Sequence, residues 1–128
     1  MKWMRVALLL PLLWGFVGCA YKSQLVHNVS MDVPAKVDAR PAILKTLKIY
    51  HWKVIADNNG VIDAKQEKDA YYAIVRITYT KDTVAIKHLE SQGMRYTNAN
   101  GEERIHTHYN TWANNLEKSI KMEMAPIQ

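Results

Sequence analysis

The densest group of residues able to do chemistry lies near the C-terminus, in the run Ile105-His106-Thr107-His108-Tyr109-Asn110-Thr111-Trp112. Imidazole nitrogens are common metal ligands, and in an extended segment His106 and His108 point to the same side. A metal site takes three or four protein ligands, however, so two histidines leave it incomplete. The other three histidines stand at no spacing typical of a metal site: His27, His51 and His88. No metal site is therefore predicted, and metal or small-ligand sensing through His106 and His108 stays an alternative.

The same run also has a purely structural interpretation, which we favour. Asn110 is a good helix N-cap residue because its side chain can accept a hydrogen bond from a backbone N–H of the first turn. Tyr109 and Trp112 offer large apolar surfaces with polar tips, which suits the edge of a core. His106 can donate to a carbonyl at a strand end and so hold the loop in place.

Signatures of catalysis are absent from the sequence. It contains neither the G-x-S-x-G nucleophile elbow nor the glycine-rich phosphate-binding patterns. Ser91 lies near His88 and Glu90, but all three fall on one predicted strand, where neighbours alternate faces and cannot form a triad. We therefore predict that the protein is not an enzyme, with no catalytic or cofactor-binding residue.

A candidate surface for a protein partner comes from the clearest predicted strand, Ala70 to Thr80. Its alternation places one set of side chains under the helices: Tyr71, Ala73, Val75, Ile77 and Tyr79. The opposite set points outward: Tyr72, Ile74, Arg76 and Thr78. Aromatic and arginine side chains are enriched in protein interfaces. Scattered apolar side chains on a surface also occur without any function, so both interpretations stay open.

The N-terminus has the pattern of a secretory signal. Lys2 and Arg5 precede an uncharged apolar run, Val6 to Gly18. At thirteen residues this run is too short for a membrane-spanning helix, which needs about 20. Removal of residues 1–18 from the 128 leaves 110, enough for one domain.

Cys19, the only cysteine, stands where such a signal would end, so an intramolecular disulfide is impossible. The sequence Phe16-Val17-Gly18-Cys19 resembles the lipobox of bacterial lipoproteins. That resemblance implies acylation of Cys19 with fatty acids such as palmitate, and cleavage just before it. One acyl chain binds a membrane only marginally, whereas two or three hold a protein there stably. Ala20 follows, and by resemblance to enteric lipoproteins this favours the outer membrane, facing the periplasm.

The charge argues against a nucleic-acid partner. The formal net charge is +5, and without Lys2 and Arg5 it is +3. Basic residues are scattered, with acids between many of them, so they form no footprint for a phosphate backbone. A small positive charge mainly aids solubility.

The rest of the chain has the periodicity of an α+β domain. Asp38 is a plausible N-cap for an amphipathic helix from Pro41 to about His51. Strands are predicted at Trp52–Ala56, Val61–Lys65, Ala70–Thr80 and Thr83–Ser91, and a last helix from Tyr109 or Asn110 to about Glu123. Short connections favour an antiparallel four-stranded meander with both helices packed on one face. We predict a signal at 1–18, a lipid-anchored tether at 19–37 and one domain at 38–124.

Two spaced series of residues extend the resemblance. They are Ile86-x-His88-x-x-Ser91-x-x-Met94-x-Tyr96 and Ile105-His106-x-x-Tyr109-Asn110-x-Trp112-x-x-x-Leu116-x-x-x-Ile120. Together with Trp52, these series resemble a family of small, largely uncharacterised bacterial envelope lipoproteins. The resemblance covers this chain from about Ile43 to Ile120. The resemblance implies an anchored α+β domain and no activity. We expect a non-catalytic binding or structural module, with the membrane and an envelope protein as partners.

Overall fold

A computed structural model describes residues 23–126 of the chain. The predicted signal peptide and Cys19 lie outside these residues. The described part contains two helices, α1 (Ala39–Ile49) and α2 (Thr107–Met124). Its strands are β1 (Ser23–Leu25), β2 (Val29–Asp32), β3 (Lys53–Asn58), β4 (Val61–Lys68), β5 (Tyr71–Tyr79), β6 (Thr83–Gln92), β7 (Thr97–Ala99) and β8 (Glu102–His106).

The strands form two antiparallel sheets, a five-stranded one in the order β2-β6-β5-β4-β3 and a three-stranded one in the order β1-β8-β7. The α+β class is confirmed. The prediction of a four-stranded meander with both helices on one face is wrong as stated. The strands β3 to β6 do pair consecutively, but β2 extends that sheet beside β6, and β1, β7 and β8 form a second sheet.

Both sheets take a strand from the segment after Cys19 that was predicted as a tether. Within it, β1 pairs with β8 and β2 pairs with β6. Val29 and Met31 alternate with exposed residues and are buried against the core. The described part of the predicted tether therefore belongs to the fold.

Local hydrogen bonds define both ends of helix α1. The Asp38 side chain accepts a hydrogen bond from the Arg40 N–H, which confirms Asp38 as the N-cap. At the other end His51 adopts a left-handed conformation (φ 63°), and the Trp52 N–H bonds back to the Leu47 carbonyl. This is the Schellman pattern, in which the residue after the cap usually is glycine.

One core joins the helices to the inner face of the five-stranded sheet. The inner-face residues of β5 (Ala73, Val75 and Ile77) are fully buried, as are Ile43 of α1 and Leu116 of α2. Where the helices meet, the hydroxyls of Thr46 and Ser119 share a buried hydrogen bond of 2.8 Å. Neither described helix is both long enough and apolar enough to cross a membrane.

Candidate functional site

Five aromatic rings form a continuous series, which we call the aromatic row. Trp52 meets Trp112 edge-on at 6.0 Å between ring centroids, and Trp112 stacks on Tyr71 at 5.8 Å. Tyr71 then contacts His108 at 5.6 Å, and the His108 ring lies 4.5 Å from that of His106. The row thus runs from the end of α1, across the start of β5, to the first turn of α2.

Exposure increases along the row from Trp52 to His108, and the last ring, His106, is half-buried. Trp52 is buried, Trp112 and Tyr71 are half-buried, and His108 is exposed. Trp112 therefore lies at the edge of the core, as its amphipathic ring predicted. The sequence does not predict that Trp52 and Tyr71 contact Trp112, because these contacts join residues far apart in the chain.

A small cavity of about 90 Å³ opens beside the row, lined by Tyr71, Gly93, Met94, His106 and His108. Gly93 has φ +78°, and a Cβ atom there would lie 2.8 Å from the Tyr71 Cβ. Only glycine therefore lets this loop lie so close to Tyr71. The cavity has room for a group of a few heavy atoms.

The two histidine rings are side by side, although His106 ends β8 and His108 already lies in α2, so the segment is not extended as the prediction assumed. Each ring has a structural partner. His106 is the N-cap of α2, and its Nδ1 accepts a hydrogen bond from the His108 N–H at 3.1 Å. His108 Nδ1 lies 3.0 Å from the Tyr71 hydroxyl. Within residues 23–126, no group of three or more His, Cys, Asp or Glu side chains could hold a metal ion.

Asn110 has a different role from the predicted one. It lies inside α2, one turn from its start, so the prediction of an Asn110 cap is wrong. Its Oδ1 accepts from the His27 N–H at 2.8 Å, and its Nδ2 donates to the Leu25 carbonyl at 2.8 Å. It also donates to the Gln24 side chain at 2.9 Å. Asn110 thus fastens the β1–β2 segment to α2.

A second contact supports the same attachment. The His27 ring lies 2.9 Å from the Glu117 carboxylate, which also pairs with Lys121 at 3.3 Å. The hydrogen bond from His27 lowers the pKa of Glu117 below its ordinary value. Two polar side chains on one face of α2, Asn110 and Glu117, therefore hold the chain that follows β1.

His88 and Ser91 are in contact, contrary to the sequence-based argument. A β-bulge in β6, opposite the step from Ile74 to Val75, adds one residue to the strand. Because of this extra residue, the side chains of His88 and Ser91 project from the same face of the sheet. His88 Nε2 lies 2.8 Å from Ser91 Oγ, so strict alternation fails at this point.

The His88 ring lies in a cluster of aromatic and polar groups between the two sheets. Tyr96 stacks on it at 4.0 Å, and Tyr109 meets it edge-on at 5.6 Å. The Tyr96 hydroxyl donates to Glu103, and this bond raises the pKa of Tyr96. Burial lowers the pKa of His88 below its ordinary value and outweighs the nearby carboxylates of Glu103 and Glu90, which raise it. Burial therefore favours the neutral form of the imidazole.

Tyr109, which meets the His88 ring edge-on, is fully buried. Burial raises the pKa of its phenol well above 10, so the group stays protonated. Within residues 23–126 its hydroxyl has no hydrogen-bond partner. A buried donor without a partner costs about 1–3 kcal/mol, so Tyr109 stabilises the fold through the packing of its ring alone.

The residues of the candidate partner face differ in exposure: Arg76 and Thr78 are exposed, Tyr72 is half-buried and Ile74 is buried. They are largely engaged with neighbouring strands. Arg76 forms two hydrogen bonds of 2.9 Å with Asp63, which is only 7% exposed. Tyr72 donates to Glu90 at 2.7 Å, and Ile74 is only 9% exposed. Whether a partner binds this face stays a prediction.

A scan against models of known protein families finds no match for this chain, and a search of curated proteins finds none either.

Proposed function

We propose that this chain is a lipid-anchored protein of the bacterial cell envelope, attached through Cys19, whose domain is a non-catalytic binding or structural module. The observation that carries the proposal is the lipobox-like sequence Phe16-Val17-Gly18-Cys19, which lies at the end of a short apolar run and contains the only cysteine. The proposed location is the outer membrane, with the domain facing the periplasm.

The position of the first strand supports an anchor at Cys19. β1 begins at Ser23, only four residues later, so the fold would start directly at the membrane surface. Asn110 and Glu117 fasten the chain at and just after the end of β1 to α2. A pull on the anchor would thus be transmitted into the helix, which suits a permanently attached domain.

A non-catalytic role is supported by how the polar side chains are used. Asn110 makes three hydrogen bonds, all of them to the backbone and side chains of the β1–β2 segment. The His106 ring caps a helix. Asn110 and His106, two of the residues that look chemical in the sequence, therefore hold elements of the fold together.

The test of the anchor is metabolic labelling with a clickable palmitate analogue in a Gram-negative host. The wild-type chain should incorporate the label, and Cys19→Ser should lose it and accumulate as an uncleaved or soluble product. Ala20→Asp is the matched control, since it leaves the cysteine in place. It should keep the label and move the protein from the outer-membrane to the inner-membrane fraction.

A wild-type protein without label would refute the anchor. A labelled Ala20→Asp variant that stays in the outer membrane would refute only the predicted sorting. Crosslinking in intact cells, followed by purification of the labelled protein, would then identify an envelope protein partner.

The alternative function is a periplasmic domain that senses a metal or a small ligand through His106 and His108. The observation that favours it is the cavity beside these two rings, whose centroids lie 4.5 Å apart. Calorimetric titration with Zn²⁺ and Cu²⁺ tests it, with His106→Ala and His108→Ala as variants and His51→Ala, at an exposed histidine, as control. One-to-one micromolar binding that is lost in His106→Ala and in His108→Ala, but kept in His51→Ala, would establish the site. Weak binding that survives the two site substitutions would eliminate it.

A further inference from the structure

The chain enters the domain at the end that carries the aromatic row. In the antiparallel pairing of β1 with β8, Ser23 lies opposite His106 and Leu25 opposite Arg104. The strand therefore starts beside His106, the N-cap of α2. His106 in turn contacts His108, and His108 contacts Tyr71.

The segment between Cys19 and β1 is too short to let the domain move far from an anchor. Four residues span at most about 14 Å when fully extended. Register partners in an antiparallel pair lie about 5 Å apart, so His106 stays within roughly 20 Å of Cys19. The polar headgroup layer of a bilayer adds about 5–8 Å on each side of its hydrocarbon core.

The exposed part of the row has the chemistry of a membrane interface. Trp and Tyr concentrate at the headgroup level, because their rings are apolar and their tips form hydrogen bonds. Here Trp112 and Tyr71 are half-buried at the surface, and His108 is exposed beside them. Lys68, exposed and paired in register with Tyr71, adds a cation at the same end.

We propose that this end of the domain, formed by Tyr71, His108 and Trp112, rests on the phospholipid headgroups of the membrane that holds the Cys19 lipid. The inference rests on the proposed anchor and goes beyond it, since it assigns the orientation of the domain. The occupant of the surface is the bilayer, because the short segment that carries the anchor joins the domain at this end.

The opposite end of the sheet provides a reference point. Tyr71 and Tyr79 begin and end β5. Eight steps along a strand correspond to about 26 Å. The turn at Lys81 and Asp82 follows directly and is exposed. In the proposed orientation this turn points away from the membrane.

The experiment uses the lipidated full-length protein in vesicles of phosphatidylethanolamine and phosphatidylglycerol. Because acylation occupies the only native thiol, an introduced cysteine is the single site for an environment-sensitive fluorophore. Lys68→Cys reports on the aromatic end, and Lys81→Cys is the matched control, also an exposed lysine. We expect a blue shift, and quenching by headgroup-labelled spin lipids, at position 68 and not at position 81.

A further variant tests the row itself. His108→Glu places a negative charge at an exposed position that would face anionic headgroups, so it should weaken the quenching at position 68. Equal signals at 68 and 81, or a signal at 81 alone, in protein that floats with the vesicles would overturn the orientation and leave the anchor intact. Protein that fails to float would overturn both.

Discussion

Asn110→Ala is the substitution that most directly tests how the N-terminal segment is held. Asn110 is only 9% exposed, and its amide makes three hydrogen bonds to the β1–β2 segment. Alanine would remove all of them and leave the His27 N–H and the Leu25 carbonyl without this partner. A typical net contribution is about 0.5–1.5 kcal/mol per bond, and unsatisfied buried partners cost more. We expect a loss of about 3 kcal/mol in the free energy of unfolding.

That value separates two roles for Asn110. A helix cap replaced by alanine costs typically about 1 kcal/mol, well below the loss expected from three broken bonds. Asn114, one turn further along α2, is exposed and serves as the matched control. Asn114→Ala should change stability by no more than about 0.5 kcal/mol.

The assay is urea unfolding of both variants, combined with amide hydrogen exchange. The exchange rates localise the effect, because a broken attachment should open β1 and β2 before the core strands. In Asn110→Ala we expect faster exchange at His27 and in β2, with little change in β5. A loss below about 1 kcal/mol with unchanged exchange at His27 would refute the reasoning.

Four further predictions concern the aromatic residues and the titrating or strained histidines. Trp112 is half-buried. Trp112→Ala should therefore destabilise the domain by about 2 kcal/mol, less than the loss for a fully buried ring; unchanged thermal unfolding would show that its stacking on Tyr71 contributes nothing. Tyr109→Phe removes a buried hydroxyl without a partner among the described residues. It should stabilise the domain by about 1 kcal/mol, and a loss in urea unfolding would contradict this. His51 lies in the left-handed region with φ 63°. Glycine adopts that conformation without strain, so His51→Gly should raise the free energy of unfolding in urea by about 1 kcal/mol. Finally, burial lowers the pKa of His88 below its ordinary value. Above the pKa of His88 in the unfolded chain, the stability of the folded state with its neutral ring is fully present. As the pH falls, the unfolded chain binds the proton more readily, so the free energy of unfolding decreases until the pH has passed the lowered pKa of the folded state. Unfolding measured between pH 5 and 8 should show this slope in the wild type and a flatter curve in His88→Phe.

Much of the fold could be predicted from local periodicity. α1 and the strands β3 to β6 are sequence neighbours that pair through short turns, so pattern and connection length together define them. Asp38 was identified as a cap because its chemistry acts within two residues. These features share one property: the interactions that specify them are local.

β1, β2, β7 and β8 could not be predicted in the same way. Each of these strands is short, and each pairs with a strand that is distant in the chain or is itself short. β1 and β8, for example, are both short and lie about 80 residues apart. A strand of three residues carries almost no periodic signal, so only the pairing defines it. For Asn110 the predicted helix cap is wrong, because its hydrogen-bond partners lie more than 80 residues away, at Leu25 and His27.

His88 and Ser91 show how a single inserted residue reverses an inference about chemistry. Side chains separated by three positions point to opposite faces of a regular strand, which is why the sequence argued against a contact. One bulge residue shifts that alternation by one. The two side chains then meet at 2.8 Å. No glycine or proline in β6 signals the bulge, since neither occurs between Val84 and Gln92. The pairing with β5 reveals it, because the register skips one residue of β6 there. Alternation therefore predicts contacts within a strand only where the register is continuous, and candidate dyads on strands need the pairing before they are dismissed.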